Sequence, residues 1–199
     1  MSSDKTQWAD LASRSLGAGV IYANDELFAD RENLIKPEDP VFQPHTFGNK
    51  GQVMDGWETR RRREPAGDGH GDCAIVRLGC AGVVRRVVVD TSYFTGNYPP
   101  EVSVEACGAE GYPAPAELAA ASWTTLVPRS TVAGDARNEF EVAAVGENRQ
   151  PHMREALLNR HLELVARIAG HRAARDQGRP RSRGQVGGRR VALRPARFH

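Results

Sequence analysis

Residues 83–91 read VVRRVVVDT and residues 101–107 read EVSVEAC, and these two runs carry the strongest fold signal in the chain. The first is rich in β-branched residues, which favour strands. The second alternates between apolar and more polar residues, a period of two that is typical of a strand with one buried face. Its apolar positions are Val102, Val104 and Ala106. A turn at residues 97–100 (NYPP) separates the runs, so the pattern predicts two neighbouring strands.

Short runs elsewhere extend the β pattern. Further candidate strands are residues 20–22, 73–78, 123–127 and 139–142. Only residues 79–82 separate two of the runs, which is too short for the helical crossover that a parallel sheet requires. We therefore predict an all-β fold, a β-sandwich of the jelly-roll type. One short amphipathic helix is expected at residues 7–16, where Gly17 would end it.

Composition excludes several classes of protein. The 199 residues suffice for one domain with a core. No apolar run approaches the ~20 residues of a membrane-spanning helix, and residues 1–10 lack the apolar stretch of a signal peptide. The three cysteines have neither CxxC nor zinc-ligand spacing, which argues against a disulfide scaffold or a structural zinc site. We expect a cytoplasmic protein, and the sequence shows no ligand set that would require a metal or other cofactor.

The C-terminal part of the chain differs from the rest. Residues 151–199 contain twelve arginines, no lysine and three acidic residues, so a basic tail follows an acidic body. Apolar residues have helical spacing over 151–174, and Arg, Gly, Pro and Ser dominate afterwards. We predict a folded β-sandwich over 1–145 and, over 146–199, a helix followed by a disordered low-complexity tail. The tail lacks an aromatic stacking platform, which argues against nucleic-acid binding. The change near residue 144 is also typical of a coding region read out of frame.

Residues 55–63, DGWETRRRR, form the densest group of reactive side chains. Guanidinium groups bind carboxylates and phosphates through paired donors, and Asp55 and Glu58 can transfer protons. In an extended segment Arg60 and Arg62 face opposite to Arg61 and Arg63, so at most two of these arginines line one site. A run of arginines is also typical of a solvated or polyanion-binding surface, and the residue types alone favour that simpler interpretation.

Two further segments could contribute to a site. Residues 90–99, DTSYFTGNYP, follow the best strand, and polar groups at strand ends often form sites. A capped strand-to-turn junction is the alternative. Residues 24–28, NDELF, form a polar loop with apolar anchors. The chain has no nucleophile elbow, P-loop, dinucleotide-binding or metalloprotease motif, and His45 and His70 lack partners at metal-ligand spacing.

Taken together, these segments resemble the allantoicase family. The resemblance covers roughly residues 7–142 and rests on an ordered set: 24–28 (NDELF), 32–37 (ENLIKP), 54–63 (MDGWETRRRR), 74–79 (AIVRLG) and 87–99 (VVVDTSYFTGNYP). It implies a galactose-binding-like jelly roll and hydrolysis of allantoate to ureidoglycolate and urea in purine breakdown through allantoin. The family has two such repeats and forms homo-oligomers, whereas this chain has one copy of the motif.

Allantoate carries one carboxylate and two ureido groups, and the residues of these segments permit matching roles. Candidate catalytic residues are Asp55, Glu58, Arg60, Arg61, Arg62 and Asp90. Candidate substrate-binding residues are Asn24, Trp57, Thr59, Thr91, Phe94 and Asn97. An arginine suits the carboxylate, and Glu58 or Asp55 suits proton transfer. Two alternatives stay open, an inactive truncated family member and a non-catalytic jelly-roll binding module.

Overall fold

A computed structural model of the protein describes residues 8–60 and 71–142, together with the backbone of three later strands. The strands of these described parts, in chain order, are β1 (Gly19–Ala23), β2 (Phe47–Gly48), β3 (Gly51–Gln52), β4 (Trp57–Thr59), β5 (Asp72–Arg77), β6 (Arg86–Asp90), β7 (Glu101–Ala109), β8 (Thr124–Thr131), β9 (Arg137–Glu141), β10 (Glu163–His171), β11 (Val191–Leu193) and β12 (Ala196–Phe198). Short 3-10 turns occur at Arg14–Leu16, Arg31–Ile35 and Glu117–Ala120. The predicted all-β fold is confirmed.

One layer of the fold is a five-stranded antiparallel sheet in the order β1-β5-β10-β7-β8. The other layer consists of β12-β6-β9 and the pair β11-β4. A separate hairpin, β2-β3, lies within the long loop that precedes β4. The chain passes from β5 in the first layer to β6 in the second through residues 78–85, so the connection needs no crossover helix.

The hydrophobic core lies between the two layers. Alternate residues of the five-stranded sheet, such as Val76 and Val104, contribute to one cluster with Trp57, Val87 and Val89 of the opposite layer. Val102 and Ala106 belong to the same cluster, so the predicted buried face of β7 is confirmed. Because β4 and β6 both contribute to this core, the ends of these two strands are held at fixed positions in one layer.

Two predicted helices are wrong. Residues 8–16 contain only the 3-10 turn Arg14–Leu16, because local side-chain hydrogen bonds compete with a helix. The Asp10 Oδ1 accepts from Ala12 N at 3.0 Å, and the Ser13 Oγ accepts from Ser15 N at 3.3 Å. Gly17 then ends the turn with a φ of 90°.

The helix predicted over 151–174 is contradicted by β10, which occupies residues 163–171 at the centre of the five-stranded sheet. Its Ala166 pairs with Val76 on one side and with Ala106 on the other. Without this strand the facing backbone groups of β5 and β7 would lack partners, a cost that outweighs a helical pattern of side chains. Residues 143–162 and 172–190 lie outside the described residues, so the disordered tail and the boundary at residue 145 stay predictions.

Among the described residues, no helix has the length and apolar character needed to cross a membrane.

Candidate active site

The GWETR segment is described as far as Arg60, and it enters the fold through β4. Trp57 packs in the core with 1% of its surface exposed, and Glu58 and Thr59 are equally buried. Arg60 follows the strand and has a largely exposed side chain. Arg61, Arg62 and Arg63 lie outside the described residues, so their predicted roles stay predictions.

The loop at residues 25–29 holds β4 in place. The Glu58 backbone oxygen accepts hydrogen bonds from Phe28 N and Ala29 N, each at 3.1 Å, and Glu58 N donates to Ala29 O at 3.3 Å. The Trp57 indole Nε1 donates to Asp25 O at 2.7 Å in a buried contact. On its other edge β4 pairs with β11. The NDELF and GWETR segments, distant in sequence, therefore form one structural unit.

Asp25 is a buried carboxylate that the sequence analysis did not assign to the site. Its Oδ1 accepts from Leu27 N at 2.8 Å and from Arg60 N at 3.3 Å, and its Oδ2 forms an ion pair with the Arg60 Nε. An aspartate in a polar loop commonly accepts a hydrogen bond from the backbone N–H two residues later, as Asp25 does from Leu27, which is the signal that was available. The partnership with Arg60 was not visible, because 35 positions separate the two residues.

The central contact of the candidate site joins Glu58 to Asn97. The Asn97 Nδ2 donates to the Glu58 Oε1 at 3.1 Å, although the two residues are 39 positions apart. Glu58 is 1% exposed and Asn97 is half-buried. A carboxylate is costly to remove from water unless hydrogen bonds compensate for the lost hydration. The fold thus brings the GWETR segment and the loop after β6 together around a fixed carboxylate.

The loop after β6 is organised by Asp90 and Thr91. The Asp90 Oδ1 accepts from Ser92 N at 2.8 Å, the local turn that aspartate commonly forms. The Thr91 hydroxyl lies 2.7 Å from Ala133 O and 3.0 Å from Ala136 O, and Ala136 N donates to it at 3.2 Å. Both side chains are buried. Their geometry supports a structural role in shaping the loop that carries Asn97.

Phe94 and Asn24 also support the site from within the fold. Phe94 is fully buried, and its backbone oxygen accepts from Asp135 N at 3.2 Å. The Asn24 Nδ2 donates to Gly71 O and its Oδ1 accepts from Cys73 N, each at 3.0 Å, which ties the end of β1 to β5. Direct contact of these two residues with a substrate stays a prediction, as it does for the buried Trp57 and Thr59.

Asp55 lies in a different place. Its Oδ1 accepts from the Lys36 Nζ at 2.5 Å, and its Oδ2 accepts from Val41 N at 3.0 Å. These contacts close the loop before β4. The same loop lines a cavity of about 440 Å³, whose wall includes Phe28, Asn33, Lys36, Lys50 and Asp55. Neither Glu58 nor Asn97 lines this cavity. The structure therefore brings Glu58 and Asn97 into contact, pairs Arg60 with Asp25, and places Asp55 in a separate set of contacts with Lys36 and Val41.

The Glu58 carboxylate and the Arg60 guanidinium are the groups in the candidate site that can transfer protons and bind anions. A buried carboxylate with one oxygen fixed by an amide can accept and return a proton, and an exposed guanidinium can bind a carboxylate. Within residues 8–60 and 71–142, no group of three or more His, Cys, Asp or Glu residues is arranged to hold a metal ion.

Comparison with known proteins identifies a family whose model covers all of these segments. A family model described as the allantoicase repeat matches residues 9–158, a span that continues beyond the composition change near residue 144. A protein of Streptomyces coelicolor described as a probable allantoicase is 55% identical over 158 residues. That alignment covers 75% of this chain and 41% of the Streptomyces protein, so the chain spans about two-fifths of this relative's length.

Solved structures share the fold. The crystal structure of allantoicase from Saccharomyces cerevisiae matches with a TM-score of 0.57 at 23% identity, over 96% of this chain and 42% of the yeast chain. A family 32 carbohydrate-binding module from Streptococcus pneumoniae EndoD matches with a TM-score of 0.50 at 12% identity, over 96% of this chain and 99% of the module. At these identities the likeness shows the sandwich architecture alone.

Proposed function

The chain belongs to the allantoicase family, and from this premise we propose that it hydrolyses allantoate to ureidoglycolate and urea. The observation that carries the proposal is the hydrogen bond of 3.1 Å between Asn97 and the buried Glu58 carboxylate. That contact joins a proton acceptor and an amide from two of the family-like segments, and Arg60 follows Glu58 by two positions in the chain.

The reaction breaks the bond between the central carbon of allantoate and one ureido nitrogen. In the proposed step, Glu58 accepts a proton from water, the water oxygen bonds to the central carbon, and the proton passes to the departing nitrogen to give urea. Asn97 keeps the Glu58 carboxylate in one orientation, so that the proton acceptor is already in place when the substrate binds. Glu58 ends the cycle in its starting protonation state.

Arg60 is proposed to bind the substrate carboxylate, with Arg61 and Arg62 as further candidates. The Arg60 side chain is 61% exposed, and its Nε is already held by Asp25. A charge-assisted hydrogen bond of this type contributes about 1.5–3 kcal/mol. Asp55 is a weaker candidate for proton transfer than Glu58, because it is paired with Lys36 and lines the neighbouring cavity.

The test is the release of urea from allantoate by the full chain and by Glu58→Gln. We expect Glu58→Gln to lower kcat by about 10²–10⁴-fold, the range typical of losing a general acid or base. Glu139→Gln is the matched control, because Glu139 on β9 is an exposed acid that also has a polar partner, Arg86 on β6. Equal turnover by wild type and a folded Glu58→Gln variant would contradict the assignment.

A non-catalytic binding module is the second candidate, because a carbohydrate-binding module shares the sandwich architecture. Titration calorimetry with allantoate separates the two possibilities. Binding without urea release favours a binding module, and release of urea excludes it.

We also propose a homo-oligomer and a cytoplasmic location, in keeping with the sequence expectations. Light scattering on the purified full chain tests the first, and a mass equal to one chain contradicts it. Cell fractionation tests the second, and recovery outside the cytoplasmic fraction contradicts it.

A further inference from the structure

Asp25 is fixed from several directions at once. Its carboxylate accepts two backbone N–H groups, those of Leu27 and Arg60, and its carbonyl oxygen accepts the Trp57 indole N–H. Only 4% of its side chain is exposed. A carboxylate held in this way has little freedom to move, so whatever it binds is also held in one orientation.

The group that Asp25 holds is the guanidinium of Arg60. The pairing uses the Arg60 Nε, at the base of the planar fork, and the backbone N–H of the same residue. The Nη atoms lie at the other end of the fork, on a side chain that is 61% exposed. Pairing at Nε therefore leaves the two-pronged Nη end available for a carboxylate from solution, the geometry that guanidinium groups use for bidentate binding.

We propose that Asp25 is a positioning residue that directs the Arg60 guanidinium toward the carboxylate of the substrate. The inference rests on the proposed function, and it deepens that function by naming the residue that orients the anion-binding arginine. Asp25 itself does not touch the substrate in this arrangement; it acts through Arg60.

The direction in which Asp25→Asn changes KM for allantoate distinguishes a role in orienting Arg60 from a purely electrostatic role. Asp25→Asn removes a negative charge near the anion site, so a purely electrostatic role would strengthen binding of the anionic substrate and lower KM. Loss of orientation has the opposite effect. We expect Asp25→Asn to raise KM for allantoate about tenfold, the size of one lost charge-assisted hydrogen bond, with kcat changed less than about twofold.

Two further measurements exclude a merely structural role. If Asp25 acts through Arg60, Asp25→Asn has no additional effect on KM in an Arg60→Ala background. In ¹H–¹⁵N spectra the Arg60 Nε–H signal, assigned by its absence in Arg60→Lys, exchanges slowly in wild type and rapidly in Asp25→Asn. Glu101→Gln is the matched control, because Glu101 on β7 is partly exposed and also pairs with an arginine, Arg129.

The outcomes separate this inference from the proposed function. If the wild-type chain releases urea and Asp25→Asn leaves KM unchanged or lowers it, the positioning role of Asp25 is overturned and the proposed hydrolysis of allantoate is supported. Absence of urea release, with calorimetric binding of allantoate that Asp25→Asn weakens about tenfold, keeps the role of Asp25 and overturns hydrolysis. Additive effects of Asp25→Asn and Arg60→Ala also overturn the positioning role. A wild-type chain that neither binds nor hydrolyses allantoate overturns both.

Discussion

Replacing Thr91 by valine tests whether this residue shapes the loop after β6 or binds the substrate. The Thr91 side chain is fully buried, and its hydroxyl is shared among Ala133 O, Ala136 O and Ala136 N. Valine has nearly the same shape but provides neither donor nor acceptor. Thr91→Val therefore removes these contacts with little change in volume.

The magnitude follows from which groups lose their partner. Ala133 O keeps a hydrogen bond from the Asn138 Nδ2 at 3.1 Å, and Ala136 O keeps one from Thr91 N at 2.9 Å. The group left without its hydroxyl partner is Ala136 N, which donates to Thr91 at 3.2 Å. One stranded backbone donor costs about 1–3 kcal/mol, so we expect the free energy of unfolding to fall by about 2 kcal/mol. For a chain of this length that lowers Tm by about 4–8 °C.

Thermal unfolding followed by circular dichroism measures the loss of stability, and urea release at increasing allantoate concentrations measures KM. We expect KM below the melting range to equal that of wild type. Thr91→Ser is the control, because it keeps the hydroxyl and loses one buried methyl group, at a cost of about 1 kcal/mol. A raised KM with unchanged Tm would refute the structural interpretation and restore Thr91 to the substrate site.

Two further substitutions test how the site is built. Asn24→Ala removes both the Gly71 and the Cys73 contacts between β1 and β5, and we expect a loss of about 1–3 kcal/mol in denaturant unfolding; a change below about 0.5 kcal/mol would contradict the anchoring role. A Cβ at Gly134 would lie 2.7 Å from Phe94 O and closer still to the Tyr98 ring, so Gly134→Ala should cost about 1–3 kcal/mol and lower kcat by displacing the Asn97 loop. Unchanged Tm and kcat in Gly134→Ala would show that the loop adapts.

Local sequence was sufficient for the longer strands before residue 142, but it missed the short strands β2, β3 and β4 and the strand near the end of the chain. The strands at Glu101–Ala109 and Asp72–Arg77 follow from alternation and β-branched residues, which act over a few neighbouring positions. The strand at Glu163–His171 was missed, because its apolar spacing also suits a helix. The need to pair the inner edges of β5 and β7 decides between the two, and that need is not visible within the segment.

Some residues of the candidate site could likewise be found from the sequence, and others only from the structure. The family resemblance and the residue types together put Glu58, Arg60 and Asn97 among the twelve candidates, because carboxylates, guanidiniums and amides are the groups that polar chemistry requires. The candidates also included the buried residues Thr91 and Phe94. The hydrogen bonds of Thr91 to Ala133 and Ala136 support a structural role for that residue. It omitted Asp25, whose importance depends on contacts with Trp57 and Arg60.

By itself, then, the amino-acid sequence determined an all-β sandwich and the segments from which a site is built. Strand propensity and side-chain chemistry belong to single residues and their neighbours, so both can be seen without a structure. Only the tertiary structure decided that Asn97 meets Glu58 and that Asp25 holds Arg60, across separations of 39 and 35 positions. Such partnerships form because the two layers share one core, which brings the end of β4 close to the loops after β1 and β6. A buried carboxylate is stable there only where a hydrogen-bond donor faces it.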